Sequence, residues 1–119
     1  MSRARLLVAA AVLLVFIVAG GVLIYASQHH GGQNVTFNVT VTGAKTMTPS
    51  QLNAHVNDTV TINVTSDMTG EVHLHLYDIP FNAVAGQTVS HTFKADKTCA
   101  CDIEWESTST PLGTLTVSP

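Results

Sequence analysis

Two histidines placed two residues apart are residues in this sequence that could together bind a metal ion. They lie in the stretch from Glu71 to Asp78, which reads EVHLHLYD. Successive side chains of an extended strand point to opposite faces, so Val72, Leu74 and Leu76 would face one side. The other side would carry the residues able to bind a metal, which are Glu71, His73, His75 and Tyr77. The stretch is therefore a candidate half of a metal site.

The spacing of His73 and His75 suits binding of a single ion. Residues i and i+2 of a strand leave the same face about 6.6–7 Å apart at the backbone, so both imidazoles can bind one Cu(II) or Zn(II) with help from an acid. Glu71 lies on that face, and Glu104 or Glu106 would approach if the two strands are neighbours. The predicted metal ligands are therefore His73, His75, Glu71 and Glu106. The alternative is that these side chains pack and form hydrogen bonds along the sheet without a metal.

An apolar segment near the N-terminus predicts a membrane anchor. Residues 6–26 form a run of 21 residues without a charge, which is long enough to cross a ~30 Å hydrocarbon core as a helix. Arg3 and Arg5 precede this run and no basic residue follows until Lys45, so the positive-inside rule places the N-terminus in the cytoplasm and the remainder outside. A cleaved signal peptide is the alternative interpretation of the same segment.

These features predict a single-pass protein of the cell membrane with four parts. The parts are a cytoplasmic N-terminus at residues 1–5, a transmembrane signal anchor at 6–26, a linker at 27–34 and a folded domain at 35–119. Beyond Ser27 the chain has three lysines and eight acidic residues, a net charge of −5. It has no basic patch that would neutralise phosphates, so nucleic acid is not an expected partner. No nucleophile with a base, nucleotide loop or small-molecule site stands out, and we do not expect an enzyme.

Apolar residues alternate with polar ones along most of the outer domain, which is typical of β-strands with one buried face. The predicted strands cover residues 35–42, 52–56, 59–65, 71–78, 89–93, 99–106 and 114–117. Pro80 and Gly86 are expected to break the chain between strands, and His91 is expected to be a core or edge histidine. Short strands with regular turn signals and no helical periodicity predict an all-β fold, a Greek-key β-sandwich.

The order of four segments resembles the cupredoxin family across nearly all of the outer domain. The segments are VNDTVTINVTSD at 56–67, EVHLHLYDI at 71–79, VAGQTVSHTFKADK at 84–97 and LGTLTV at 112–117. The chain is similar in particular to bacterial membrane-tethered cupredoxin-like domains in which an acid-Val-His-aliphatic-His stretch precedes Tyr-Asp. This resemblance implies a cupredoxin-like sandwich following the transmembrane helix.

The blue-copper site of that family is not expected here. The resemblance places His73 at the first histidine ligand, but Trp105 stands where the cysteine ligand belongs. The loop from Glu106 to Leu112 contains neither the second histidine nor the methionine. We therefore predict a non-catalytic accessory module that binds copper or zinc weakly. The alternatives are a metal-free domain docking on a larger membrane complex, with His73 packed beside Trp105, and an electron-transfer copper protein that uses the cysteines.

Cys99 and Cys101 leave three possibilities open. In a fully extended strand their Cα atoms would lie about 6.6–6.8 Å apart, at the upper limit for a disulfide, and a bend would bring them into range. They could form this local disulfide, remain reduced or pair between chains. A joint metal site with the histidines requires them to lie near His73. Antiparallel pairing with Trp105 opposite His73 would instead leave the cysteines near the far end of their strand.

Overall fold

The computed structural model describes residues 32–119, which fold into nine β-strands. Apart from a 3-10 turn at Glu106–Thr108, these residues contain no helix. The strands are β1 (Asn34–Thr42), β2 (Thr46–Thr48), β3 (Gln51–His55), β4 (Thr59–Ser66), β5 (Gly70–Leu74), β6 (Ile79–Ala83), β7 (Thr88–Lys94), β8 (Cys99–Trp105) and β9 (Thr110–Ser118).

The strands form two mixed sheets. One sheet has the order β2-β1-β4-β7, and the other has the order β3-β9-β8-β5-β6. The β1–β4 and β3–β9 pairs are parallel, and the other strand pairs are antiparallel. The all-β, two-sheet fold predicted from the alternation is confirmed, whereas its Greek-key connectivity stays a prediction.

The hydrophobic core lies between the two sheets and explains why the alternating pattern forms strands. In β4 the residues Val60, Ile62 and Val64 are buried, while the threonines and asparagine between them are only partly covered. They share one apolar cluster with residues of the other sheet, including Val72 and Leu74 of β5. Full burial of each such side chain contributes about 1.5–3 kcal/mol. Because the inner faces are buried in this core, the outer faces of the sheets are the ones that remain accessible for binding.

The stretch predicted as one strand at residues 71–78 is instead a hairpin. β5 ends at Leu74, four turn residues follow, and β6 pairs with β5 in the antiparallel sense. Leu76 and Asp78 have positive φ angles of 69° and 51°, which interrupt the extended backbone. Leu76 is consequently 54% exposed instead of facing the core. Pro80, predicted to break the chain, lies inside β6, where an edge strand tolerates a residue without an N–H group.

Two more strand boundaries differ from the prediction. The segment between the predicted strands 35–42 and 52–56 contains β2, which pairs with the end of β1. β9 begins at Thr110, four residues before the predicted start at residue 114, and it includes Pro111 and Gly113. The β8–β9 register shifts between Ile103 and Glu104, so a bulge accommodates this part of β9.

Cys99 and Cys101 form a disulfide within β8. Their Cα atoms lie 5.3 Å apart, closer than in a fully extended strand, and this contraction brings the pair into bonding range. Of the three possibilities left open by the sequence, the structure therefore shows the local disulfide. Cys101 is buried in the core and Cys99 packs against it, so the bond lies on the inner side of the sheet.

The predicted cytoplasmic N-terminus, transmembrane anchor and most of the linker lie outside the described residues. Residues 32–119 contain no helix long and apolar enough to span a membrane.

Candidate metal centre

His73 and His75 lie on the outer face of the five-stranded sheet. The neighbours of His73 in β5, Val72 and Leu74, are buried in the core, so the His73 side chain points away from it. His75 is already in the turn, but its backbone N–H donates a hydrogen bond to the carbonyl of Asp102 at 2.9 Å. This bond holds His75 against β8. The imidazole centroids are consequently 4.6 Å apart, with the rings inclined at 68°.

Two glutamates of the neighbouring strand and turn meet these histidines. β5 and β8 are antiparallel, and His73 lies opposite Glu104 in the register. Oε1 of Glu104 is 2.8 Å from Nε2 of His75. Glu106, the first residue of the 3-10 turn, places Oε2 3.3 Å from Nδ1 of His73. Each histidine therefore has its own carboxylate within contact distance.

The four residues together form a compact set of metal donors. One ligand atom from each of His73, His75, Glu104 and Glu106 lies within 4.8 Å of all the others. Bonds of about 2.0–2.2 Å to a tetrahedral Zn(II) place neighbouring ligand atoms about 3.3–3.5 Å apart, so rotamer changes of the order of 1 Å would close this set around one ion. Two imidazole nitrogens and two carboxylate oxygens suit Zn(II) or Cu(II).

Glu71, also predicted as a ligand, is not part of this group of four. It lies on β5 opposite Asn82 of β6, on the side of His73 away from the turn. Its charge still acts on His73 and raises the pKa of that imidazole. Glu104 takes the place in the cluster that the sequence prediction gave to Glu71.

Asp78 is a contact of His73 that the sequence prediction missed. Its Oδ1 lies 2.8 Å from Nε2 of His73, although the Asp78 side chain is 91% exposed. The left-handed backbone at Asp78 turns the chain back toward β5, and aspartate adopts this conformation more readily than most residues. The Asp78-Ile79-Pro80 sequence is a turn signal, but it overlaps the alternating pattern that favoured a continuous strand.

The surrounding carboxylates raise the pKa of His73. The hydrogen bond with Asp78 is the largest cause, burial opposes it, and the charges of Glu106, Asp78 and Glu71 add to the increase. The His73 side chain is 16% exposed. Its Nδ1 atom is buried and forms no hydrogen bond, because the contact with Oε2 of Glu106 is not aligned as a hydrogen bond. Four of the eight acidic residues of the outer domain thus surround two imidazoles, which is an arrangement favourable to a cation.

Trp105 does not lie beside His73, contrary to the predicted register. Trp105 is opposite Val72, and both residues are buried on the core side of the sheet. The observed β5–β8 register differs by one residue from the predicted one. Trp105 therefore lies on the core face of the sheet and not on the face that carries His73. The Trp105 ring packs so closely on Gly70 that a Cβ atom there would overlap it. His73 is therefore not filling a pocket next to the indole.

A type-1 copper site does not fit these residues. Trp105, which the sequence resemblance places at the position of the cysteine ligand, is a buried core residue, and both cysteines form the disulfide. The 3-10 turn and the start of β9 offer neither histidine nor methionine. The disulfide lies on the inner side of the sheet, whereas the His73 cluster is on the outer face, so a joint histidine–cysteine site is also excluded.

Tyr77, the remaining residue of the predicted ligand face, and His91 both have structural contacts. The Tyr77 hydroxyl donates a hydrogen bond to the carbonyl of Lys97 at 2.6 Å, and its ring packs 5.1 Å from that of Phe93. Tyr77 therefore leaves the face that carries His73 and His75. His91 lies on the edge strand β7, where its ring meets Phe81 edge to face at 4.9 Å, as expected for a core or edge histidine.

Comparison with known proteins supports the fold. No protein-family model and no curated protein matches the chain. Among solved structures, a chain from a cryo-EM structure of a heme-copper terminal oxidase dimer aligns with a TM-score of 0.55 and 15% identity, covering 97% of this chain and 99% of that one. The multicopper oxidase mgLAC aligns with a TM-score of 0.47 and 14% identity, over 73% of this chain and 39% of that one. At this level of identity the first match shows a shared cupredoxin-like fold.

Proposed function

We propose that this chain is a membrane-anchored accessory module outside the cytoplasm that binds Cu(II) or Zn(II) and catalyses no reaction. The observation that carries this proposal is the set of four donor atoms, from His73, His75, Glu104 and Glu106, within 4.8 Å of one another. His73 and Glu104 lie on β5 and β8, which are hydrogen-bonded neighbours, and His75 and Glu106 lie in the turns that directly follow these two strands. A site held by strands is better ordered than one held by loops alone.

The donor set favours divalent ions over Cu(I). Thiolate and thioether sulfurs select Cu(I), whereas imidazole suits zinc and copper and carboxylates are hard oxygen donors. The cluster has no sulfur ligand. A site that stabilises Cu(II) without stabilising Cu(I) is poorly suited to electron transfer. Binding, delivery or structural use of the ion is therefore the better-supported role.

The membrane anchor is supported by the sequence of the N-terminal segment. The uncharged run at residues 6–26 and the two arginines before it have the length and charge asymmetry of an N-in transmembrane helix. We propose that the folded domain stands outside the cytoplasm, which agrees with an oxidised Cys99–Cys101 pair. Extraction of membranes at alkaline pH should leave the chain in the pellet, and release into the soluble fraction would contradict the anchor.

A metal titration of the purified full-length chain tests the binding role. We expect calorimetry to show one Cu(II) or Zn(II) per chain with a Kd below about 100 μM, equivalent to more than ~5.5 kcal/mol. The His73→Ala/His75→Ala variant should lose this binding. His91→Ala is the matched control, because His91 lies on β7 of the other sheet, and it should bind normally. Absence of binding in the wild type, or equal binding by the double variant, would refute the site.

The visible absorption spectrum of the Cu(II)-loaded chain also distinguishes the proposed accessory module from an electron carrier. A site of imidazole and carboxylate ligands should show only weak visible absorption. Intense thiolate-to-copper charge transfer would require the Cys99–Cys101 bond to open and would favour the electron carrier instead.

A second candidate function is docking on a larger membrane complex. The observation that favours it is the alignment of 97% of this chain with 99% of a chain found in a heme-copper terminal oxidase dimer. Purification of the tagged full-length chain from native membranes in a mild detergent tests this role. Stoichiometric co-purification of a haem-containing complex would support docking, and recovery of the chain without haem would contradict it.

A further inference from the structure

A carboxylate beside His73 determines which of its two ring nitrogens is available to a metal. We propose that Asp78 is a positioning residue that holds His73 as the Nε2–H tautomer, so that this histidine binds its metal through Nδ1. This inference rests on the proposed metal site. It adds to that proposal the coordinating atom and the residue that selects it.

The hydrogen bond at Nε2 defines the tautomer. A carboxylate accepts hydrogen bonds and donates none, so the 2.8 Å contact between Nε2 of His73 and Oδ1 of Asp78 requires the proton on Nε2. In the neutral ring Nδ1 then carries the lone pair that binds a metal. Histidine ligands commonly donate their other N–H to a carboxylate, which fixes the ring and raises its basicity.

The surroundings of Nδ1 indicate where the cation would lie. Nδ1 of His73 is buried and without a hydrogen bond, and Oε2 of Glu106 is 3.3 Å away. A nitrogen lone pair and a carboxylate oxygen facing each other at this distance repel unless a proton or a metal ion lies between or beside them. The buried side of the imidazole is thus directed at the acidic ligands, while Asp78 occupies its exposed side.

The hairpin turn supplies this arrangement from residues close in sequence. Asp78 follows His73 by five residues, and the left-handed backbone at Asp78 directs the chain back beside β5. His75 differs, because its Nε2 is 2.8 Å from Glu104, which is itself a proposed ligand. The two histidines are therefore not equivalent, and Asp78 should affect only His73.

Two substitutions separate the carboxylate of Asp78 from the turn that presents it. Asp78→Asn keeps a hydrogen-bond acceptor and a residue suited to positive φ. Asp78→Gly removes the acceptor but also suits the left-handed backbone. Asp96→Asn, at an exposed position on the β7–β8 connection, controls for the loss of one negative charge. Circular dichroism and thermal unfolding should show all three variants folded.

The experiment combines zinc titration with nitrogen-15 NMR of the histidine rings in the full-length chain. In the zinc-loaded wild type we expect the Nε2 proton of His73 to be retained and Nδ1 to show the metal-bound shift. Asp78→Gly should weaken zinc binding 10–100-fold, the usual effect of losing such a partner, while Asp78→Asn should recover most of the affinity and Asp96→Asn should match the wild type.

The outcomes distinguish failure of the role proposed for Asp78 from failure of the proposed metal site. If the wild type binds neither zinc nor Cu(II), the proposed function fails and this inference fails with it. If it binds Cu(II) but no zinc, the affinities of the Asp78 variants are compared with Cu(II) instead. If zinc binds but His73 coordinates through Nε2, or if Asp78→Gly binds as tightly as the wild type, the metal site stands and the role of Asp78 is overturned.

Discussion

The imidazole of His75 and the carboxylate of Glu104 meet across the boundary between a turn and a strand, with Nε2 and Oε1 2.8 Å apart. His75 is held there by its backbone hydrogen bond to Asp102, two residues before Glu104 in β8. The contact joins the β5–β6 hairpin to its neighbouring strand. It brings the second imidazole of the cluster to the first, and it places the Glu104 carboxylate among the four proposed ligands.

Glu104→Gln should weaken zinc binding at least tenfold, equivalent to ~1.4 kcal/mol, because an amide oxygen is a poorer ligand for Zn(II) than a carboxylate. Calorimetry of the full-length chain measures this change. Asp102→Asn is the matched control, since it removes the same charge from the same exposed face of β8. Equal losses in both variants would indicate a general electrostatic effect and not a ligand.

The stability of the metal-free chain should fall as the pH rises above the usual pKa of histidine. The pKa of folded His73 is raised, first by Asp78, so its contribution is fully present below about 6.5 and is lost as the pH passes through the raised value. Chemical denaturation across this range should show the decline. Asp78→Asn should make it shallower, and an identical pH profile for both chains would contradict the assignment to this pair.

Gly70→Ala should destabilise the domain by about 1–3 kcal/mol, because the added methyl group overlaps the buried Trp105 ring. Thermal unfolding measures the loss. The double variant Gly70→Ala/Trp105→Phe should cost less than the sum of the single changes, since the smaller ring leaves room for the methyl group. Additive losses would show that the two residues do not contact each other in solution.

Removal of the disulfide should lower stability without changing metal affinity. The bond encloses only three residues, so loop closure accounts for about 1.5 kcal/mol, less than for a long loop. Cys99→Ala/Cys101→Ala should therefore unfold at a lower denaturant concentration and bind zinc as the wild type does, because the cysteines face the core and the ligands lie on the outer face. Weakened zinc binding in a folded double variant would contradict the separation of the two sites.

Alternation along the chain was sufficient to predict the strands that have one buried face. The threonine-rich strand β4 and the cysteine strand β8 follow this pattern closely, because a period of two reflects burial on one side of a sheet. The same pattern placed Glu71 and His73 away from the core and indicated that Glu104 or Glu106 would approach if β5 and β8 were neighbours. These relations depend only on alternation and strand pairing.

The alternating pattern did not predict the β5–β6 hairpin or the register between β5 and β8. His75, Leu76 and Tyr77 continue the alternation of β5, so these residue types do not mark the end of the strand. The backbone leaves the extended conformation at Leu76 and Asp78, which have positive φ angles. Trp105 pairs with Val72, one residue from the predicted partner, and its indole packs on Gly70, a contact that alternation alone does not reveal. Asp78 was missed because its role requires the turn.

X-ray absorption at the zinc edge of the zinc-loaded full-length chain tests the central claim most directly. The account predicts a first shell of nitrogen and oxygen at about 2.0–2.2 Å, with the outer-shell scattering of two imidazoles and no sulfur at about 2.3 Å. A sulfur shell, or a shell of oxygen alone without imidazole scattering, would contradict a site built from His73, His75, Glu104 and Glu106.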